Sequence, residues 1–309
     1  MFTCSETILG DVRVLSLCGY RCGISIIPEL GASVHSLRLS GVEVLRKDAE
    51  AELVLNPKYR GRFLFPWNDR ISGATYRFRG REYRLVPNED DGSAIHGFLY
   101  KSPATVERVR AQSNLASVTL SYETAGDPGY PFQCRLTIRM ELRSDSLCLS
   151  FKVRNIGRDC APVGLGWHPY FNLGCPVDDV LLQADGALFF PADEALIPKG
   201  YLSPVERTEY DFRTPRKIGG QSLDIAIQSG QNGRIMVSGV LGRLSILFDT
   251  GLFRCVQLYI PPERDSIAVE PVTSAADAFN RDESGITVLE PGETRTGWIQ
   301  VWFEASKPN

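Results

Sequence analysis

Two residues pair proton-transfer chemistry with an unusual backbone setting. His168 lies in Gly166-Trp167-His168-Pro169-Tyr170-Phe171, and Glu270 in Val269-Glu270-Pro271-Val272-Thr273. Each immediately precedes a proline, which disfavours helical φ/ψ at the residue before it, so both are expected on extended chain. Both follow short apolar runs, Val163–Trp167 and Ile267–Val269, that read as strand ends. A side chain at a strand end can be held rigidly in a cleft, as a positioned acid or base requires. An imidazole titrates near neutrality unaided and a carboxyl against an apolar wall is raised toward it, so the two suit paired acid and base work.

Two more segments share this mixture of one ionisable group among aromatic, Gly and Pro residues: Phe65-Pro66-Trp67-Asn68-Asp69-Arg70-Ile71 and Ile95-His96-Gly97-Phe98. The combination suits a concave site with low-dielectric walls. Taken singly, each residue has a plainer reading. His96 would be a loop histidine with a structural hydrogen bond, and Arg70 would tie its loop to Asp69 or Glu82. Asp224 would be a helix or turn cap. His35, alternating with apolar neighbours, reads as a strand residue rather than a catalyst. Trp67, Trp167, Tyr170 and Phe279 belong to types more often found in cores.

The elements that must position these residues read almost entirely as strands. Leu136, Ile138, Met140 and Leu142 alternate with polar neighbours, and Leu147, Leu149, Phe151 and Val153 do the same after a turn at 143–146, which predicts a long antiparallel hairpin. A second hairpin is expected from Tyr76–Arg79, turned by Gly80-Arg81 into Tyr83 and Leu85, with aromatics on one face and arginines on the other. Further strands are expected at 118–122, 234–239, 243–249, 255–260, 267–269 and 297–303. No stretch of a dozen residues carries a helical apolar period free of Gly and Pro, so helices should be few and short. Gly and Pro are spread without a linker. The expectation is all-β: one large antiparallel β-sandwich domain over residues 1–309.

Composition narrows the ligand. The 309 residues carry 34 Lys and Arg against 37 Asp and Glu, a net charge of -3, which removes the electrostatic reason to expect a nucleic acid or a membrane surface as partner. No apolar run approaches the roughly 20 residues of a membrane span, and the first residues lack a secretory pattern, so a cytoplasmic protein is expected. Eight cysteines without a Cys-x-x-Cys pair, and three histidines, give poor material for a metal site. With no Gly-rich nucleotide loop after a strand, neither metal nor organic cofactor is expected.

The motifs together resemble the aldose 1-epimerase (galactose mutarotase) family: Asn-x-Arg-Ile around Arg70, His-Gly at 96–97, His-Pro-Tyr-Phe at 168–171 and Leu-Asp at 223–224. Val-Glu-Pro-x-Thr at 269–273, Asp277-Ala278-Phe279-Asn280 and Leu289-Glu290-Pro291-Gly292 complete the order, from about residue 25 to the C-terminus. The resemblance implies a large β-sandwich with a shallow cleft for free hexoses. It implies Glu270 as general base and His168 as general acid, with Arg70, His96 and Asp224 holding hydroxyls. The family's commonest form sets Asn directly before Arg; here Asn68-Asp69-Arg70 leaves open whether Asn68 or Asp69 supports Arg70. Because sugars favour an aromatic face under their C–H surface, Trp67, and after it Phe279, are expected to line the cleft.

Anomer exchange requires the C1 hydroxyl to lose a proton while the ring oxygen gains one. A carboxylate and an imidazolium on opposite sides of the ring would serve, with no cofactor. Rival readings are a mutarotase for a phosphorylated or sulfonated hexose, with Arg62, Arg70, Arg79 and Arg81 as candidate rim cations, and a non-catalytic sugar-binding domain. Glycoside hydrolysis would instead need two carboxylates about 5–9.5 Å apart. A sugar is the expected partner, with the chain a monomer or homodimer.

Overall fold

The computed structural model describes residues 1–54, 58–281 and 285–306. Within them, the alternating segments settle into antiparallel ladders. Cys134–Leu142 pairs with Ser146–Asn155, and the apolar set from Leu136 to Val153 is buried on one face. The second hairpin joins Thr75–Phe78 to Arg81–Arg84, one residue away from the expected turn: Arg79 and Gly80 occupy it, with φ of 49° and 78°. Two positive φ values define the type I′ turn whose twist matches the strands it joins. The register sets Arg81 opposite Phe78, so Arg81 shares the aromatic face with Tyr76 and Tyr83 instead of joining the other arginines.

A nine-stranded sheet runs Thr105–Ala111, Ala116–Glu123, Cys134–Leu142, Ser146–Asn155, Thr294–Ala305, Gly242–Phe248, Arg234–Gly239, Leu181–Ala184 and Arg216–Lys217. Facing it, an eight-stranded sheet has at its centre Asp224–Gln228, Cys255–Tyr259, Ile267–Val272 and Gly166–Trp167. Between the two lies the main core, where Phe63 meets Phe151 edge to face at 5.9 Å between ring centres. A five-stranded antiparallel sheet over Thr3–Glu43 packs into the same core through Leu15, Leu17, Ile24 and Leu37. His35, whose alternation with apolar neighbours suggested a strand, lies in the fourth strand, Ser33–Leu39, whereas the first, Thr3–Leu9, is exposed along almost its whole length. The helices among the described residues are single 3₁₀ turns. None is long and apolar enough to cross a membrane.

Strand alternation fixes what each face of the eight-stranded sheet presents. Val256, Leu258, Val269 and Ile225 point into the core. Their neighbours Gln257, Tyr259, Glu270 and Asp224 therefore project from the opposite face. The ladder sets Gln257 opposite Glu270 and Asp224 opposite Tyr259.

Candidate active site

Over that polar face lies a cavity of about 180 Å³ lined by Tyr59, Asp69, Arg70, Glu89, His96, His168, Tyr170, Asp224, Gln257, Tyr259 and Glu270, with Lys58, Ile95 and Val272. Four strand residues make its floor; Tyr170 and Val272 also lie on strands, Arg70 and Ile95 face each other in a two-stranded ladder, and loops bring the rest. Glu270 stands in the middle of Ile267–Val272, where the sequence suggested a strand end; the ladder continues through Pro271, whose chain is already extended. His168 does follow a strand end, Gly166–Trp167. Its backbone is clamped on both sides, its N–H donating to Arg62 O and its carbonyl accepting from Gly61 N–H. The ring stacks on Tyr170 at 5.0 Å with 4° between planes.

His168 Nδ1 lies 3.4 Å from Glu270 Oε1, and both side chains are buried. Nδ1 has no hydrogen-bond partner. Burial pushes the imidazole down to about 3, with Arg60 adding to the effect and a backbone hydrogen bond opposing it. Burial, then Asp69 and Asp224, drive Glu270 well above the usual carboxylate range. Both directions favour the uncharged forms, a protonated carboxyl beside a neutral imidazole. The two groups sit side by side and not across a ring from each other. That arrangement matches two oxygens bonded to one carbon, as O1 and O5 are at C1 of a pyranose.

His96 adopts φ 67°, and its Nδ1 accepts the Asp69 N–H at 3.2 Å. A neutral His96 therefore carries its proton on Nε2 and donates from there. Burial, with His168 and Arg70 nearby, keeps it neutral by holding it well below the usual imidazole range. Arg70 has carboxylates of Glu89, Asp69 and Asp91 at 3.6, 3.7 and 3.8 Å, and its Nε makes no hydrogen bond. Of the two carboxylates suggested as a loop tie for Arg70, Asp69 is beside it and accepts its backbone N–H at 2.7 Å, while Glu82 pairs with Arg77 and Arg84. Asp224 opens the strand Asp224–Gln228 and accepts Gln257 Nε2 at 2.6 Å. Burial raises it to about 6, Asp69 adding and Arg70 and Gln257 opposing.

Asn68 and Trp67 do not reach the cavity. The Asn68 amide donates to Ser274 O at 2.6 Å and accepts from Thr273 Oγ1 at 2.9 Å, tying its loop to the end of the Glu270 strand. Asp69 is the neighbour that faces the cavity beside Arg70. Trp67 turns into the core against Phe98 at 4.8 Å, because along Pro66-Trp67-Asn68-Asp69 the aromatic and the acid take opposite sides of the loop. Phe279 likewise packs on Tyr76 in the core. The tyrosines that do line the cavity are Tyr59, Tyr170 and Tyr259. Of the residues not anticipated, Gln257 and Tyr259 carried a signal, alternating with Val256 and Leu258. Tyr59 and Glu89, joined by a 3.2 Å hydrogen bond, lie in loops without one. Among the described residues no cluster of His, Cys, Asp and Glu is arranged for a metal ion.

The family model described as Aldose 1-epimerase matches residues 22–302. The uncharacterized protein YihR of Escherichia coli K12 is 29% identical over 270 residues, covering 85% of this chain and 84% of its own. Galactose mutarotase of Homo sapiens is 28% identical over 162 residues, 50% of this chain and 46% of that protein. Two solved structures superpose over 99% of both chains: a galactose mutarotase-like protein of Clostridium acetobutylicum, with TM-score 0.88, and galactose 1-epimerase of Lactobacillus acidophilus, with TM-score 0.85. Each is 19% identical to this chain, a likeness that establishes the fold.

Proposed function

Because the chain belongs to the aldose 1-epimerase family, we propose that it is a mutarotase interconverting the α and β anomers of a free, neutral hexose such as glucose or galactose. The observation that carries this reading is the buried His168–Glu270 contact of 3.4 Å. Moving the carboxyl proton from Glu270 to His168 creates a carboxylate beside an imidazolium. The carboxylate takes the O1 proton, and the O–H electron pair becomes part of the C1 carbonyl as the C1–O5 bond breaks. O5 keeps that bonding pair and receives the imidazolium proton. After rotation about C1–C2, the same steps in reverse close the ring on the other face, and both side chains return to the protonation states in which they began. Arg70, His96 Nε2 and Asp224 supply two donors and an acceptor for the remaining hydroxyls, and Asp69 orients Arg70.

A neutral substrate fits the charge of the cavity. Even with Glu270 protonated, Asp69, Glu89 and Asp224 line it against Lys58 and Arg70, and Lys58 is paired with Glu263. The other arginines considered for an anionic hexose point elsewhere. Arg62 is buried and donates to the carbonyls of Leu30, Tyr100 and Leu53, while Arg79 and Arg81 border a separate cavity.

Polarimetry on freshly dissolved α-glucose and α-galactose tests the reading. The wild type should speed the decay of rotation, and Glu270→Gln and His168→Asn should each lower kcat by about 10²-fold or more. A Glu270→Gln enzyme turning over at close to the wild-type rate would remove the assignment. A hexose 6-phosphate should show a kcat/KM at least roughly tenfold below that of the neutral sugar, given the like charges it would meet. A preference for the phosphate would reject neutral specificity.

A further inference from the structure

A second cavity, of about 490 Å³, opens beside the Thr75–Phe78/Arg81–Arg84 hairpin, away from the His168–Glu270 pair. Its volume falls in the range of small-molecule sites, roughly 300–1,000 Å³. Three guanidinium groups border it, those of Arg79, Arg81 and Arg158, above Phe78, Tyr83 and Phe132. Arg79 is paired with Glu290 at 3.1 Å, whose other oxygen accepts the Cys160 thiol at 2.7 Å. Among the described residues, Arg81 and Arg158 have no ion pair. One carboxylate, Asp159, shares the rim.

The hairpin register makes this arrangement possible. With Arg81 opposite Phe78, its guanidinium lies over the Tyr83 ring at 5.6 Å, and Arg79 lies over Phe78 at 5.8 Å. Both cations therefore lie over aromatic rings at the border of the cavity. The planar guanidinium fork matches the oxygens of a phosphate, and a doubly charged anion gains most from two cations not already neutralised. The half-buried Phe78 ring offers a surface for an apolar or ring portion attached to that phosphate.

We propose that this cavity binds a small organic phosphate, its phosphate between Arg81 and Arg158 and its ring portion on Phe78, at a site separate from the sugar cavity. Isothermal titration calorimetry with phenyl phosphate tests it, with inorganic phosphate, benzoate and phenol as comparisons. Phenyl phosphate should bind saturably and more weakly as salt rises, ahead of inorganic phosphate and benzoate, with phenol giving no signal. The exposed double variant Arg81→Gln/Arg158→Gln should weaken binding at least tenfold. Its rate of mutarotation should stay at the wild-type value, which also reports that it is folded; should no mutarotation be found for either protein, coincident circular dichroism spectra give the folding control and the binding result stands alone. Absence of saturable binding, unchanged affinity in the double variant, phenol binding as well as phenyl phosphate, or displacement of phenyl phosphate by galactose would each overturn the proposal.

Discussion

At the scale of single residues, the site concentrates carboxyl groups that burial keeps from ionising easily, and this has a cost that can be measured. Asp224 is raised to about 6, chiefly by burial and then by Asp69, from an unfolded value of about 3.9. Between those values the folded chain holds a proton that the unfolded chain has released. Stability from this group is therefore complete below pH ~4 and declines as pH rises through ~6. Asp224→Asn removes the ionisation while keeping an oxygen for Gln257. The variant should match the wild type at pH ~4 and exceed it at pH 7–8 by about 1–3 kcal/mol. His168, lowered to about 3, acts in the opposite sense, losing stability as pH falls below ~6.5, but it is common to both proteins and cancels in the difference. Thermal or urea unfolding across pH 4–8 provides the comparison, and an Asn advantage that did not change with pH would contradict the assignment. The same substitution should raise KM for the sugar, since an acceptor carboxylate is lost from the cavity floor.

At the scale of elements, the sheet supplies half the site and a loop braced against it supplies much of the rest. Asn68 is the brace: buried, it bonds Ser274 O and Thr273 Oγ1, and that hydroxyl in turn accepts the Leu165 N–H. Asn68→Ala would leave a buried carbonyl and hydroxyl unmatched, so a loss of about 1–3 kcal/mol is expected. Although Asn68 does not reach the cavity that Glu270 lines, kcat/KM should fall by roughly tenfold or more, because Arg70 and Glu270 would no longer be held in mutual register. Full activity with lowered stability would show that the brace serves folding alone. These two kinds of element also differ in how much the sequence discloses. Strand alternation placed the 134–155 hairpin, the 234–249 pair and the 255–260 segment, and its parity already separates Gln257 and Tyr259 from the core. The pre-proline rule read extended chain correctly at Glu270, which lies within Ile267–Val272, but a local steric preference does not fix where a strand ends. Loops have no period, so nothing in Pro66-Trp67-Asn68-Asp69 says which side chain turns inward; the structure gives the core to Trp67, the brace to Asn68 and the cavity to Asp69. Asp224 was obscure for a related reason, since three residues of Ser222-Leu223-Asp224 are too few to show the alternation that begins there.

At the scale of the whole molecule, the packing gives the N-terminal sheet a part in the site. One apolar cluster runs without a break from Phe2 and Leu15 through Phe63, Trp167 and Val269 to Phe303. The chain leaving the five-stranded sheet joins the eight-stranded one directly, with Arg46 N–H donating to Tyr170 O, Asn172 N–H to Val44 O, and Leu45 bridging Phe171. Those contacts lie two to four residues from His168. Opening of the N-terminal sheet would therefore release the strand that follows His168, and we propose that the chain unfolds as one cooperative unit. The four tryptophans offer a probe, Trp67 and Trp167 lying in the core and Trp298 and Trp302 exposed on the last strand of the nine-stranded sheet. In urea, tryptophan fluorescence, far-ultraviolet circular dichroism and loss of mutarotation should follow one transition with a shared midpoint. If activity vanished at a lower urea concentration than the fluorescence change, the N-terminal sheet would be a separately melting layer, and its bonds to Tyr170 and Asn172 would be too weak to couple it to the core.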